Sequence, residues 1–324
     1  MKTPRKYKQG DQKITNGSEL SIGDVIDQFV ATKRSKNTRR AYAKDLGDVF
    51  EFLVINELYE LGQIQFHELV ERLHDHLEQI SKFDEKTNRI VNPKTVNRKA
   101  YAISSFFKFL IHTYEYPKNP LETYQNHKSD GRSNTPSLTG ADVIDVISHL
   151  EGEHQKNQTK FRNYLAICCL AVLALRRNEL VGLKWSDFNF GDSSVNVFQK
   201  GGTYKLLPVA PKLLKIIIQY REKYEHGSYV FAAVNKSNND GLSKPLSAQY
   251  IYEIVVKTVF KVTKGKKATP HSFRKSFIEI ALNNGEDFIS IINATGHSTV
   301  EMVKYYDGRD TLKNNAAHGM AKYI

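Results

Sequence analysis

PHSFRKSFIEIALNNGEDFISIINATGHSTVEMVKYYD, residues 270–307, is the stretch on which our interpretation of the chain depends. Its opening proline suits the first turn of a helix, and the pattern that follows predicts a helix that stops at Gly285. Residues three apart on a helix are neighbours, so His271 and Arg274 share a face. A separate apolar stripe should hold this helix against a core: Phe273, Phe277, Ile280 and Ala281. The polar pair is therefore expected to be presented at the surface.

Two further short helices are predicted after this one. The first should end near Thr295, two residues before His297. Ser298 and Glu301 match a capping box, which predicts the start of the second. This last helix carries two adjacent tyrosines, Tyr305 and Tyr306.

Imidazole, guanidinium and phenol groups together suit chemistry on a phosphodiester. Fixed cations must neutralise the charge that grows on the non-bridging oxygens, and arginine binds phosphate bidentately without losing its proton. Histidine can donate a hydrogen bond or transfer a proton near pH 7. A tyrosine could attack phosphorus and hold it covalently, which conserves the energy of the bond without ATP. The set predicts an enzyme without a cofactor, but a lone His-x-x-Arg pair is common on solvated helices and needs further partners.

Composition and charge narrow the class of protein. The chain has 324 residues, with 47 Lys and Arg against 35 Asp and Glu and a formal charge of +12, which favours a polyanionic partner. Its longest apolar run, 166–175, is about half of a bilayer span, so we expect a buried helix. The only cysteines, Cys168 and Cys169, are adjacent in that run, where neither a disulfide nor a zinc site is plausible. The N-terminus has no export signal, so the cytoplasm is the expected location.

The chain length predicts two domains. We expect a basic flexible arm at residues 1–17, a domain of four helices at 18–124, a polar linker at 125–137 and a second domain at 138–324. Five cations cluster at the start of the second helix: Lys33, Arg34, Lys36, Arg39 and Arg40. They would repel one another unless a polyanion lay across them, although a solvated helix start is the alternative. On the fourth helix, Arg98 and Lys99 are expected on the outside.

The second domain supplies further partners for the His271 helix. An apolar helix predicted to run to Leu175 delivers Arg176 to its end, where Glu179 could orient the guanidinium, although an ordinary helix-end arginine is the alternative. Three short strands should follow, and Gly201-Gly202 predicts a hairpin turn with Lys200 near its tip. An ammonium there could protonate a departing hydroxyl.

In this order and spacing, the segments resemble the tyrosine site-specific recombinases of the phage integrase family. Residues 174–180, ALRRNEL, are similar to the family's Gly-Leu-Arg-x-x-Glu-Leu box, and Lys200-Gly201 matches its hairpin Lys-Gly. Residues 271–274, HSFR, match its His-x-Leu-Arg box, and residues 295–298, TGHS, resemble its Leu-Gly-His-Ser box. Residues 35–42, SKNTRRAY, resemble its core-binding domain. The likeness spans about residues 20–307.

The resemblance implies a set of catalytic residues. The family's nucleophile lies nine residues beyond the second histidine, which is Tyr306 here. The implied catalytic set is Arg176, Lys200, His271, Arg274, His297 and Tyr306. Candidate DNA-binding residues are Lys36, Arg39, Arg40, Arg98, Lys99 and Lys205. The sequence departs from the family pattern beside these positions: Ala174 replaces glycine, Lys275-Ser276 replaces His-Thr, and Thr295 replaces leucine.

The resemblance also implies a fold and a mechanism. The fold would be mainly α with a small antiparallel β-sheet: a four-helix core-binding domain followed by a mixed α/β catalytic domain. Four protomers would act on two double-stranded DNA sites with inverted-repeat cores, through a 3′-phosphotyrosine and a Holliday junction, without metal or ATP. Two alternatives stay open: DNA relaxation like that of a type IB topoisomerase, and a non-catalytic DNA-binding accessory protein.

Overall fold

The structure is a computed structural model, which describes residues 20–82, 92–128, 133, 135–199, 201–225, 227–233 and 244–309. The chain divides into two units, Met1–Asp130 and Gly131–Ile324. The division falls within the segment 125–137 that we expected to be a linker. The expected basic arm, residues 1–17, and Lys200 lie outside the described residues.

Five helices form the described part of the first unit. They are α1, Ile22–Ala31; α2, Lys36–Leu53; α3, Leu58–Gln63; α4, Phe66–Lys82; and α5, Pro93–Tyr114. Four of them correspond to the four predicted helices, and α3 is additional. Its six residues are too few to show a helical repeat in the sequence, and a capping box of Glu57 and Glu60 fixes its start.

Phe106 on α5 lies in the core of the first unit. Its ring meets the rings of Phe29 and Phe50 edge-on, with each pair of centroids 5.4 Å apart. All three side chains are buried. Burial of one such side chain contributes about 1.5–3 kcal/mol to folding. This aromatic cluster therefore fastens α1 and α2 to α5.

The described part of the second unit combines α-helices with a small sheet. Its α-helices are α6, Gly140–Glu151; α7, Gln158–Val172; α8, Arg177–Gly182; α9, Pro211–Tyr224; α10, Ala248–Val262; α11, Pro270–Asn283; α12, Phe288–Thr295; and α13, Val300–Lys304. Two 3-10 turns lie at His154–Lys156 and Trp185–Asp187. The strands β1, Phe188–Asn189, β2, Ser194–Phe198, and β3, Tyr204–Pro208, form an antiparallel sheet in the order β1-β2-β3. The predicted fold class, mainly helical with a small antiparallel sheet, is confirmed.

Helix α7 lies in the core of the second unit. Its thiols Cys168 and Cys169 are buried, and burial raises the pKa of Cys168 to about 12 and that of Cys169 well above its ordinary value. Both thiols therefore stay protonated and unreactive near neutral pH. Among the helices that the structure describes, none combines the length and the apolar character needed to cross a membrane.

A left-handed residue ends α7 earlier than the sequence predicted. We expected the helix to continue to Leu175, but it ends at Val172, and Ala174 has a φ of 49°. This conformation costs a non-glycine residue about 1–2 kcal/mol. The turn makes Arg176 the N-cap residue of α8. The strained turn at Ala174 therefore fixes the backbone position of Arg176.

Replacing Ala174 by glycine should relieve this strain. We expect Ala174→Gly to raise the free energy of unfolding by up to about 1 kcal/mol, because glycine removes the left-handed penalty but loses about 0.5–1 kcal/mol more chain entropy. Urea unfolding can be followed by the fluorescence of Trp185, the only tryptophan, which is buried in the second unit. The control Ala166→Gly, within α7, should lower the free energy of unfolding by about 1 kcal/mol or more. Equal losses in both variants would contradict strain at the corner.

Helix α13 begins one residue later than predicted. The hydroxyl of Thr299, not Ser298, accepts the hydrogen bond from the backbone N–H of Met302, at 3.4 Å. The predicted capping box that began at Ser298 is therefore wrong. Ser298 and Thr299 are both favourable N-cap residues, and only the backbone path selects between them. The helix ends at Lys304, which places Tyr306 just beyond its last turn.

Candidate active site

A buried carboxylate fixes Arg176 at the start of α8. Glu179 accepts hydrogen bonds from Arg176 Nη1 at 2.7 Å and from the Arg176 backbone N–H at 2.8 Å. The Glu179 side chain is only 5% exposed, whereas that of Arg176 is 32% exposed. The guanidinium is thus anchored on its protein side and open on the other. The spacing of three residues predicted this pairing correctly.

Arg274 is buried, which corrects the expectation that it would be presented at the surface with His271. It is 1% exposed. Its Nη1 donates to the carbonyl oxygen of Ala174 at 2.7 Å, and its Nη2 donates to that of Thr295 at 2.5 Å. Burial, with a contribution from Arg176, lowers the pKa of Arg274 to about 10, so the group remains charged at neutral pH. The two carbonyls stabilise a cation that would otherwise be costly to bury.

One nitrogen of the Arg274 guanidinium makes none of these hydrogen bonds. Among the described residues, its Nε has no hydrogen-bond partner, although it is buried. A buried unsatisfied donor costs about 1–3 kcal/mol, and more when the group is charged. The Nε–H group of Arg274 therefore lacks a hydrogen-bond acceptor among the described residues.

His271 and Tyr306 are in direct contact. The Nε2 of His271 and the hydroxyl of Tyr306 are 2.9 Å apart. His271 is an exposed residue in the first turn of α11. Desolvation is the largest cause that lowers the pKa of His271, and the charges of Arg274 and Arg176 lower it further. A lowered pKa keeps the ring neutral near pH 7, so Nε2 can accept the phenol proton.

Tyr306, rather than Tyr305, reaches both histidines. The ring centroid of Tyr306 lies 5.7 Å from that of His271 and 5.5 Å from that of His297. The backbone carbonyl of Tyr305 accepts from the N–H of Ser133 at 2.9 Å. The Nζ of Lys275 donates to the carbonyl oxygens at 133 and 135, at 3.1 and 2.8 Å. Residues 133 and 135 thus hold the backbone beside Tyr306, the candidate nucleophile.

His297 is buried between α12 and Arg274. It is 5% exposed. Its Nδ1 lies 2.7 Å from the hydroxyl of Thr295, and its Nε2 lies 3.3 Å from Nη2 of Arg274. Burial is the largest cause that lowers the pKa of His297 to about 3, and Arg274 and Arg176 lower it further. The ring is therefore neutral at pH 7.

Lys205 belongs to the same site. It lies on β3, and its Nζ donates to the carbonyl oxygen of Ile292 at 3.2 Å. Burial, then Arg274 and Arg176, lower the pKa of Lys205 to about 8. We predicted that Lys205 contacts DNA, and the effect of both arginines on its pKa places it beside the other candidate site residues.

Five of the six candidate catalytic side chains therefore meet in the second unit: Arg176, His271, Arg274, His297 and Tyr306. The sixth, Lys200, lies outside the described residues. Sequence reasoning missed the two carbonyls that hold Arg274, at Ala174 and Thr295. The available signal was that both residues are departures from the family pattern.

Comparisons with known proteins identify the family of the chain. The family model described as "Phage integrase family" matches residues 137–311, more than half of the chain. The chain belongs to the phage integrase family of tyrosine recombinases. A second model, "Phage integrase, N-terminal SAM-like domain", matches residues 26–114 of the recombinase. The resemblance inferred from the sequence is confirmed, and so is the assignment as an enzyme of site-specific recombination.

Two curated relatives resemble the recombinase over most of their length. Tyrosine recombinase XerC of Pediococcus pentosaceus is 25% identical over 298 residues, which cover 89% of this chain and 93% of the relative. Tyrosine recombinase XerD of Staphylococcus saprophyticus is 24% identical over 278 residues, which cover 84% and 88%.

Solved structures share the fold. The Tn1549 transposon integrase in complex with transposon right end DNA has a TM-score of 0.69 at 15% identity, covering 94% of this chain and 100% of that one. The XerH site-specific recombinase bound to palindromic difH substrate has a TM-score of 0.62 at 15% identity, covering 97% and 99%.

The first unit of the recombinase has a basic groove. The groove is about 550 Å³ in volume and is lined by residues of α2 and α5: Tyr42, Lys94, Asn97, Arg98, Tyr101, Ser104, Ser105 and Lys108. Of the predicted DNA contacts at the start of α2, Lys36, Arg39 and Arg40 are all exposed, and Arg39 Nε donates to the carbonyl oxygen of Lys33 at 2.6 Å. Tyr101 is 58% exposed, so an aromatic ring faces outward among the cations.

Lys99 is buried, contrary to our expectation that it lies outside with Arg98. Its Nζ is 2.8 Å from a carboxylate oxygen of Asp48 and 3.4 Å from one of Asp45. Arg98 also pairs with Asp45, but its side chain is 42% exposed, against 11% for Lys99. Desolvation raises the pKa of Asp45 despite these cations, so the ion pairs only partly offset its burial. Lys99 therefore stabilises the helix pair, and Arg98 faces the groove.

Removing Lys99 should destabilise the first unit. We expect Lys99→Ala to lower the free energy of unfolding by about 3 kcal/mol, because it leaves the buried carboxylate of Asp45 with Arg98 as its remaining ion-pair partner. The matched control is Lys118→Ala, since the Lys118 side chain is 62% exposed and pairs loosely with Glu122 at 3.9 Å. That variant should change stability by less than about 1 kcal/mol. Urea unfolding by circular dichroism measures both, and equal midpoints would mean that the buried ion pair has no structural role.

Proposed function

We propose that the recombinase cuts and rejoins DNA strands through a covalent 3′-phosphotyrosine on Tyr306. The observation that carries this is the 2.9 Å hydrogen bond between His271 and the Tyr306 hydroxyl, formed across 35 residues of sequence beside Arg274. A nucleophile within hydrogen-bond reach of a neutral base, next to fixed cations, is the arrangement that phosphoryl transfer requires.

In the proposed cleavage step, the phenol oxygen of Tyr306 attacks phosphorus while its proton passes to Nε2 of His271. The bond from phosphorus to the 5′ oxygen of the next nucleotide breaks. Arg176 and Arg274 balance the negative charge that grows on the non-bridging oxygens, and the spare Nε of Arg274 is a further donor close to that charge. Lys200 is the candidate that protonates the departing 5′ oxygen.

Rejoining is the same step in reverse. A free 5′ hydroxyl attacks the phosphotyrosine and gives its proton back to Lys200, while the phenol oxygen leaves and takes its proton back from His271. The bond energy is kept in the covalent intermediate, so the proposed cycle needs neither ATP nor a metal ion. Exchange of partners between two sites would pass through a Holliday junction, with four protomers acting on two double-stranded DNA sites that carry inverted repeats.

The basic groove of the first unit is the second part of this proposal. Lys94, Arg98 and Lys108 line it at intervals that follow one face of α5, and the cations at the start of α2 lie on exposed positions. Phosphate contacts of this kind fix the position of a protein on DNA, and their binding energy falls as salt rises. We propose that the groove and the exposed cations of α2 together bind the DNA backbone.

Two other readings of the same fold make different predictions. A non-catalytic accessory protein would have no use for a tyrosine held against a neutral imidazole, and the contact therefore favours an enzyme. Relaxation like that of a type IB topoisomerase uses the same covalent chemistry. It would change the linking number of a plasmid without exchanging DNA partners.

Trapping of the covalent intermediate tests the nucleophile. A nicked duplex that carries the site protected by the recombinase should yield a covalent protein–DNA adduct in EDTA, visible on a denaturing gel. Tyr306→Phe should abolish the adduct, because the attacking oxygen is removed. The matched control is Tyr305→Phe, which should keep it. The opposite pattern would transfer the nucleophile to Tyr305, and adduct in both variants would exclude both tyrosines.

The salt dependence of binding tests the basic face. Arg40→Ala and Lys108→Ala should each weaken DNA binding at all sequences and reduce the slope of log K against log salt by about 0.9. Lys118→Ala, on an exposed part of the same unit, serves as the control and should leave the slope unchanged. If Arg40→Ala and Lys108→Ala keep the same slope as Lys118→Ala and the original chain, the DNA would not contact Arg40 or Lys108.

A further inference from the structure

Thr295, the last residue of α12, makes two hydrogen bonds through a single hydroxyl. Its side chain is buried, and its Oγ1 lies 2.7 Å from the carbonyl oxygen of Ile291 and 2.7 Å from Nδ1 of His297. A carbonyl oxygen only accepts, so the one hydroxyl hydrogen must point to Ile291. The Thr295 oxygen is then an acceptor toward His297, and Nδ1 of His297 must carry a hydrogen.

The other ring nitrogen of His297 meets a donor. Its Nε2 lies 3.3 Å from Nη2 of Arg274, and a guanidinium has no acceptor. Nε2 must therefore be the unprotonated nitrogen. Only the neutral ring with its hydrogen on Nδ1 satisfies both neighbours, whereas a hydrogen on Nε2 would face a donor. The low pKa of His297 agrees with a neutral ring.

We propose that Thr295 is a positioning residue, which holds His297 in the Nδ1–H form so that Nε2 accepts from Arg274 and orients its guanidinium. The proposal rests on the proposed function, since it concerns the cation that would face the phosphate. His297 then acts through Arg274.

Three contacts now define the orientation of Arg274. The Ala174 carbonyl holds Nη1, while the Thr295 carbonyl and His297 Nε2 both receive hydrogen bonds from Nη2. Thr295 contributes twice, directly through its backbone and indirectly through its hydroxyl. The leucine that the family pattern places at this position has no hydroxyl and could not hold the histidine in this way.

A purely local role for the Thr295 hydroxyl is the competing explanation. Threonine in a helix often donates to the carbonyl four residues earlier, which stabilises nothing beyond its own turn. In that case, replacing the side chain at position 295 would not change which ring nitrogen of His297 carries the hydrogen. The position of that hydrogen therefore separates the two explanations.

Nuclear magnetic resonance of the DNA-free chain directly measures which ring nitrogen of His297 carries the hydrogen. The full chain is labelled with ¹⁵N in its histidine rings, and His297→Gln assigns the His297 signals. At pH 7 we expect a protonated Nδ1 and an unprotonated Nε2 in the original chain and in Thr295→Ser. Thr295→Val, which keeps the shape but not the hydroxyl, should shift the ring toward the Nε2–H form. A hydrogen on Nε2 in the original chain, or an unchanged ring in Thr295→Val, would overturn the proposal.

Adduct formation supplies the second readout. Thr295→Val should form the covalent adduct about tenfold more slowly in a single turnover with DNA affinity unchanged, since about 1.4 kcal/mol of orientation is lost. Thr295→Ser should restore the rate to within about threefold. A normal rate in Thr295→Val, or an equal loss in Thr295→Ser, would contradict a positioning role. If the original chain forms no adduct, the proposed function fails, while the ring spectra still decide the state of His297.

Discussion

Burial of the Arg274 guanidinium is the constraint on which the rest of the site depends. A charge placed in the interior is tolerated only where acceptors surround it, and here they come from segments far apart in sequence. Ala174 precedes Arg274 by 100 residues and Thr295 follows it by 21. The end of α7, the start of α11 and the end of α12 must therefore assemble together. Displacement of one of these segments would remove at least one hydrogen-bond partner of the buried cation.

This constraint explains the unusual backbone nearby. The left-handed turn at Ala174 directs a carbonyl into the core, where it meets Nη1 of Arg274. The same turn makes Arg176 a helix N-cap residue, anchored by Glu179. One local strain thus positions both arginines, and the hydrogen bonds of the folded site offset its energetic cost.

The sequence predicted the long helices well because their apolar residues recur with a helical period, as in α2 and α5, and because caps such as Thr139 mark their starts. It failed at α3, which is too short for a period, and at Thr299, which competes with an adjacent hydroxyl residue. It also predicted the wrong exposure for Arg274 and Lys99. Spacing along one helix shows which residues share a face, but the segments that cover that face are distant in sequence. The five candidate catalytic side chains were identifiable from their boxes, whereas the two carbonyls that hold Arg274 were not.

The segment that leads into the second unit has a practical consequence for dissecting the protein. Ser133 donates to the carbonyl of Tyr305, and Lys275 holds the carbonyls at 133 and 135. The family model begins at residue 137, after these anchors. A fragment trimmed to that boundary would lose the hydrogen bond to the Tyr305 backbone, next to the candidate nucleophile Tyr306, and would leave the Lys275 ammonium without two acceptors. A fragment that starts ahead of Ser133 would keep both.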